Sequence, residues 1–399
     1  MSLTTPERRR VIVTFKKKDT RANPEPDKLE LLAEAVGAEL PVAGASYGPL
    51  PRGLDLDRVV YDVDAYEAPI VIAALDDDQI DSVRSAEDVA AVEEDGPMFA
   101  LGQLVIEGQP SVLEETVPAG VAAIKAPAAW DASRGKAIKV AVLDTGIAPA
   151  HPDLVTNLRT GMSFVSTETS TDDFNGHGTH VAGTIAAAHD QIGVVGVAPA
   201  AALYAVKVLD RNGRGQWSNL IAGIDWCINA QDIRILNMSL GGPGAPAALE
   251  QMCVLAWERG RLLVAAAGND GGPVGYPAKW ESVVAVSALD SAGMIASFSN
   301  RGTEVELAAP GVSVLSTVPG GGYGTKSGTS MASPHVAGTA ALVWGSHRFA
   351  DNITVRRLLA WRADPMGRMG RTDEYGYGRV DAEAASVELE QPPPIAGIP

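Results

Sequence analysis

Two textures of apolar residues divide the chain. Within residues 8–101, "RRVIVTFK", "RVVYDVDAY" and "APIVIAAL" are short β-branched runs that predict strands. "PDKLELLAEAVGAEL" carries Leu and Ala at helical spacing, and "DDDQIDSVRSAEDVAAVEED" predicts a helix running into a strand. A β-α-β-β-α-β order in so short a stretch predicts a small α+β sandwich. From about residue 117 the runs lose their alternation. "KAIKVAVLD", "ALYAVKVL", "RILNMSL" and "RLLVAAAGN" alternate with helical stretches. Apolar runs without alternation are strands buried on both faces, so the expected fold is α/β, an open, mostly parallel sheet flanked by helices. The final "QPPPIAGIP" is Pro-rich and predicts a loose tail.

Composition narrows the function. With 46% apolar residues among 399, a large core is assured. The net charge of −17 excludes a nucleic-acid binder, since a phosphate backbone would be repelled. Two cysteines, Cys227 and Cys253, are too few for a disulfide scaffold or structural zinc, and their apolar surroundings predict buried free thiols. No apolar run is long enough to span a membrane. The N-terminal "RRRVIVTFKKKD" lacks the apolar stretch of a secretory leader, so the expectation is a cytoplasmic protein or one exported by a non-classical route.

The chemistry gathers at strand ends, where open α/β sheets place their sites. Asp144 ends "KVAVLD". His177 opens the small-residue run "HGTHVAGTIAA". Ser330 follows Gly328 in "GTSMASPHVAG". Singly, these are a turn-former, a packed histidine and a helix N-cap. Together they are a carboxylate, an imidazole and a hydroxyl, the set that turns serine into a nucleophile. Asn269, behind Gly268 in "AAAGND", adds an amide able to donate to an oxyanion, and the backbone N–H of Ser330 adds a second donor.

The order Asp, His, Ser, with "VAVLDTGI", "NGHGTHVAGT", "NMSLGG", "AAAGN" and "GTSMASPHVAG", resembles the subtilisin family of serine proteases over residues 114–387. The resemblance implies an Asp144–His177–Ser330 triad with Asn269 in the oxyanion hole, and leaves His180 as a buried structural histidine. It implies one substrate-pairing edge at Ser239, Leu240 and Gly241 and another at Gly213, Arg214 and Gly215. Ala266, Gly268 and Gly275 then wall a pocket for a large apolar P1 side chain, with Asp270 at its rim. The family commonly binds structural calcium. Here that implies side-chain oxygens from Glu115, Asp153 and Asp190 and carbonyls from Ala188, Ile192 and Val194, an oxygen set suited to Ca2+. No organic cofactor is implied. Residues 1–101 resemble the inhibitory, chaperone-like propeptide, 102–113 a linker or extension, and 388–399 a tail. The expected molecule is a self-processing monomeric zymogen acting on peptides and proteins. Its expected cut lies between Leu101 and Gly102, with Leu113–Glu114 as the rival.

Three other readings compete. "HGTH" has the spacing of a metal pair, but no third ligand follows in pattern. "DTG" at 144–146 hints at an aspartic protease, whose second carboxylate would have to come from "LDSAG" at 289–293. A catalytically silent module would use the same groove for binding only.

Overall fold

Seven strands make the central sheet of the computed structural model, which describes residues 8–16, 32, 59–62, 70–104, 114–229, 233–367, 370–386, 392–395 and 398. Their order is Val305–Pro310, Val283–Leu289, Leu262–Ala266, Ile235–Met238, Lys139–Asp144, Ala202–Lys207 and Met162–Ser163, and every pairing is parallel. Alternate residues feed two cores. Val140, Val142, Val264 and Val286 pack with Val181 and Ile185 of the helix His177–Ala186 and with Val336 of the helix Thr329–Ser346. Ala141, Leu143, Leu263 and Ala285 pack on the other face against Leu220 and Ile224 of Trp217–Asn229 and Leu249 and Met252 of Ala247–Glu258. Burial on both faces explains the unbroken apolar runs. Cys227 and Cys253 lie in the second core as free thiols, and burial pushes both pKa values up.

The helix Thr329–Ser346 is buried along almost its whole length, which its Ala, Gly and Ser residues permit. It contains Pro334, which has no N–H for the carbonyl of Ser330 four residues back. That carbonyl accepts instead from Ser239 Oγ at 2.9 Å. A local defect in the helix is thereby repaired by the residue that follows the strand Ile235–Met238.

The N-terminal module is a four-stranded antiparallel sheet in the order Val59–Asp62, Ile70–Leu75, Arg9–Phe15 and Val89–Glu94. The helix Asp77–Ser85 starts on a capping box between Asp76 and Gln79 and lays Ile80 and Val83 on Val11, Val13 and Val71. The other helix expected from sequence, in "PDKLELLAEAVGAEL", lies outside the described residues except for helical Leu32. The opposite face of this sheet carries Ile12, Ile70 and Ile72, which join the core around Trp217–Asn229 and Ala247–Glu258. Two carboxylates lock the same interface. Glu93 accepts from the N–H groups of Ala247 and Ala248, and Asp95 from the N–H and hydroxyl of Ser218. Both sit at helix starts, where N–H groups lack internal partners.

Past Asp95 the chain enters the body. Pro97–Ala100 forms the middle strand of a three-stranded antiparallel sheet, between Arg214–Gln216 and Leu240–Gly241. Gln103–Leu104 then pairs with Gly322–Ser327. Of the Pro-rich end expected to be loose, Ile398 is buried.

Candidate active site

The sequence brings its polar residues to the carboxyl ends of the strands. Asp144 closes Lys139–Asp144, and His177 is the first residue of its helix. Both are buried, and His177 Nδ1 lies 2.8 Å from Asp144 Oδ1. A carboxylate only accepts, so Nδ1 carries a proton, and in the neutral ring the lone pair is on Nε2. The N–H of Thr145 donates to the same Asp144 oxygen at 2.7 Å. Thr145 in turn is tied from three sides. Its hydroxyl donates to Asp173 and accepts from the N–H of Gly178, and Lys207 Nζ donates to its carbonyl. Asp173 also takes the N–H groups of Asn175, Gly176 and Thr179 and the Thr179 hydroxyl. The carboxylate–imidazole pair is therefore fixed from beneath by groups that cannot drift independently.

Buried Lys207 is balanced by Glu168 at 3.0 Å. Burial alone would raise the Glu168 pKa. The N–H and guanidinium of Arg211 and the ammonium of Lys207 outweigh it and bring the value down to about 2.

Ser330, at the N-terminus of its helix, donates from Oγ to the carbonyl of Ser239 at 2.9 Å. This differs from the bond to His177 expected of a triad. Among the described residues, His177 Nε2 has no hydrogen-bond partner. The cause lies in the chain at 101–102. A Cβ built on Gly102 would sit 2.9 Å from His177 Nε2, so the backbone there occupies the space before the imidazole.

Asn269 is oriented by its neighbours. Its Oδ1 accepts from the N–H and hydroxyl of Thr329 at 2.8 and 2.9 Å, which turns Nδ2 outward. That Nδ2 donates to the carbonyl of Leu101. Gly328 permits the approach, since a Cβ there would come within 2.6 Å of the same carbonyl.

The two expected edges are both present. Arg214 and Gly215 stand opposite Phe99 and Met98, and Leu240 and Gly241 opposite Ala100 and Phe99. Ala100 N–H donates to Gly213 O at 2.9 Å and Leu101 N–H to Ser239 O at 3.2 Å. Met98 is fully buried close to Gly215, and Trp217 closes over Gly96 and Gly242. Leu101 reaches a cleft of about 470 Å³ bordered by Gly268, Asn269, Asp270 and Gly275. Ala266 does not line it, for it is buried at the end of its sheet strand. Sequence reasoning missed Val274, Tyr276, Lys279 and Asn300 in the same wall. Of these, Tyr276 follows directly from Gly275 and was the one within reach of the motif.

His180 is fully buried, with Nε2 donating to the carbonyl of Val314 at 2.9 Å, and burial holds its pKa well below the usual value. It is structural, as expected. The two imidazoles of "HGTH" are spent on separate partners, His177 Nδ1 on Asp144 and His180 Nε2 on the carbonyl of Val314, which speaks against their acting as a metal pair. Asp290 caps its own turn through the N–H groups of Ala292 and Met294, so it supplies no second catalytic carboxylate to Asp144.

Among the described residues Glu115, Asp153 and Asp190 do not gather as one group of three. Glu115 faces His189 at 3.0 Å and accepts the N–H of Gln191. Asp153 accepts from Val194 N–H and the Tyr323 hydroxyl. Burial raises its pKa, with Asp190 adding to the effect. The loop nevertheless wraps this carboxylate. Gly193, at φ +62, packs so tightly on it that any Cβ would overlap its oxygens. A carboxylate is the oxygen donor that a hard cation takes, but here the Asp153 oxygens are satisfied by protein donors.

The Subtilase family model matches residues 135–378. The chain is 46% identical over 321 residues to Subtilisin E of Bacillus subtilis (strain 168), an alignment spanning 79% of this chain and 80% of that one. It is 49% identical over 279 residues to Subtilisin of Bacillus pumilus, spanning 68% and 99%. It is 47% identical over 304 residues to Alkaline protease of Shouchella clausii, spanning 76% and 77%. With a buried carboxylate–imidazole pair beside a helix-borne serine, the match leads to one conclusion: this chain belongs to the subtilase family and is a serine-type endopeptidase.

Proposed function

We propose that this endopeptidase works through Asp144, His177 and Ser330, and that it is made as a zymogen that cuts itself between Leu101 and Gly102. One observation carries the reading. The peptide joining those residues has its carbonyl oxygen on Asn269 Nδ2 and its far side against His177, while Pro97–Ala100 fills the groove before it. Turning Ser330 Oγ from Ser239 O toward His177 Nε2 brings hydroxyl, base and carbonyl together. His177 takes the proton as Oγ bonds to the carbonyl carbon, and the oxyanion gathers on Asn269 Nδ2 and the Ser330 N–H. Collapse breaks the C–N bond, and His177 gives its proton to the leaving amine. Water then attacks the acyl-enzyme by the same relay. A silent binding module is not favoured, because Asp144, His177, Asn269 and Ser330 together keep every side chain that the relay needs.

Substrates bind by strand addition between Arg214–Gln216 and Leu240–Gly241. The cleft around Leu101 favours a large apolar P1 residue, and the Trp217 side an apolar P4. Residues 1–101 act as the intramolecular inhibitor, and one chain supplies every group, so a monomer suffices. N-terminal sequencing tests the cut. The mature enzyme should begin at Gly102 and Ser330→Ala should stay full length. A first residue of Glu114 with no earlier intermediate would move the cut to Leu113, which lies outside the described residues.

Calcium is proposed as a structural ion on Asp153, Asp190 and Glu115 with the carbonyls of Ala188, Ile192 and Val194. Bound there it would neutralise the buried acid and fix the loop. Glu115 would have to exchange His189 for the ion. A ligand held only by the folded state raises the melting temperature. EDTA should therefore lower that of the mature enzyme, and Asp153→Ala with Asp190→Ala should remove the response. No EDTA effect under prolonged dialysis counts against the ion.

A further inference from the structure

Lys326 is a buried cation that the relay above does not use. It is 3% exposed, and among the described residues its side chain makes neither a hydrogen bond nor an ion pair. Lysine is almost never fully buried unless paired, because an unanswered charge forfeits its hydration. The contrast with Lys207 is plain. Lys207 is equally buried but meets Glu168 and the carbonyl of Thr145. Burial lowers the pKa of Lys326, and Asp173 and Asp144 pull the other way from longer range. Both of those carboxylates already carry other donors.

Its place on the strand gives it a use. Lys326 lies on Gly322–Ser327, opposite Leu104, with Ser327 opposite Gln103. These are the residues that follow the Leu101–Gly102 bond. Register partners project to one face of a sheet, and so do positions two apart on one strand. Gly102 precedes this strand by one residue, and where the extended backbone continues through it a side chain there would leave on the Lys326 face. The built Cβ agrees. On Gly102 it lies against the His177 ring, and Lys326 Nζ ends 4.0 Å from the Cβ that Gly176, the preceding residue, lacks. Both marks fall on the same turn of chain. With glycine at 102, nothing from that position answers the ammonium.

We propose that Lys326 is a specificity-determining residue on the leaving-group side, selecting substrates with Asp or Glu immediately after the scissile bond, whose carboxylate pairs with its ammonium. The inference rests on the reading of Leu101–Gly102 as the bond held in the groove. It also predicts a local exception to the electrostatics of a chain of net charge −17, which as a whole repels acidic peptides.

The test uses the mature enzyme and peptides identical but for Gln, Glu or Lys after a scissile Leu. The expected kcat/KM for Glu exceeds that for Gln by roughly tenfold, the size of one charge-assisted contact. Lys326→Met should bring the ratio to about one, Lys326→Arg should keep it, and Lys326→Glu should favour the Lys peptide. A wild-type ratio near one, or one that survives Lys326→Met, overturns the inference. So does a Lys326→Met loss that is the same for every peptide, which would assign Lys326 to charge balance around His177. Cleavage of the Gln peptide at another bond would instead sink the groove assignment, and the inference with it.

Discussion

The body and the N-terminal module spend carboxylates on opposite tasks. In the body, Asp173 accepts five hydrogen bonds, all from residues beside Asp144 and His177. In the module, Glu93 and Asp95 give their oxygens to helix starts in the other unit. The first arrangement loses several bonds at once if any member moves, so it holds reacting groups still. The second would leave N–H groups that water can satisfy if the module departs as proposed. The same functional group thus makes a frame around the site in one place and, on the proposed reading, a removable clamp in the other.

The comparison is sharpened most by Asn269→Ala. This amide is held in place by Thr329, as the frame holds Asp144, and it is proposed to act on the transition state. kcat should fall by about 10²–10³, the range found when such a donor is removed from a related enzyme, with little change in KM. A pure KM effect would make Asn269 part of the clamp on bound peptide instead.

Next in size is Glu168→Gln. The folded Glu168 has its pKa lowered to about 2, so its contribution is full above the ordinary carboxylate range and is lost as pH falls toward the folded value. In a Ser330→Ala background the variant should be less stable by on the order of 2–3 kcal/mol at pH 7. The gap should close as pH drops from about 4.5 toward 2. Urea unfolding at several pH values measures it, and a gap indifferent to pH would break the link between Glu168 and the frame.

The smallest effect is expected at the clamp. Glu93→Gln with Asp95→Asn removes two charged caps, each of about 1 kcal/mol. The lag between N-terminal cleavage and the rise of peptidase activity should shorten roughly tenfold. An unchanged lag would mean that the apolar contacts of Ile12, Ile70 and Ile72 carry the docking alone.

Much of the body is legible along the chain, because strands buried on both faces write unbroken apolar runs and each site residue stands beside glycine punctuation. Asp144, His177, Asn269 and Ser330 could be placed at strand ends for that reason. The docking of the module could not. Asp95 reaches Ser218 across 123 positions, and nothing local distinguishes an acid that caps a distant helix from one that meets water. Ala266 failed for a different reason. Ala266 is the last residue of the strand Leu262–Ala266 and is buried in the sheet, while the cleft begins beyond the strand's end, at Gly268. Lys326 in "GYGTKSG" reads as an ordinary surface lysine, and only the pairing of its strand with 103–104 reveals that it is covered.

The three-stranded sheet around Pro97–Ala100 has its middle member supplied by a segment that the enzyme is proposed to shed. Afterwards two short edges wait for a guest, and most of the pairing available to a guest is made by backbone. A native protein keeps its backbone groups occupied in its own helices and sheets. To be cut, it must first surrender an extended stretch long enough to lie between both edges. The rate of digestion then follows how often the target opens locally rather than how many suitable side chains it displays. Enzymes built this way act as probes of other proteins' stability, sparing tightly folded neighbours and consuming damaged or frayed ones.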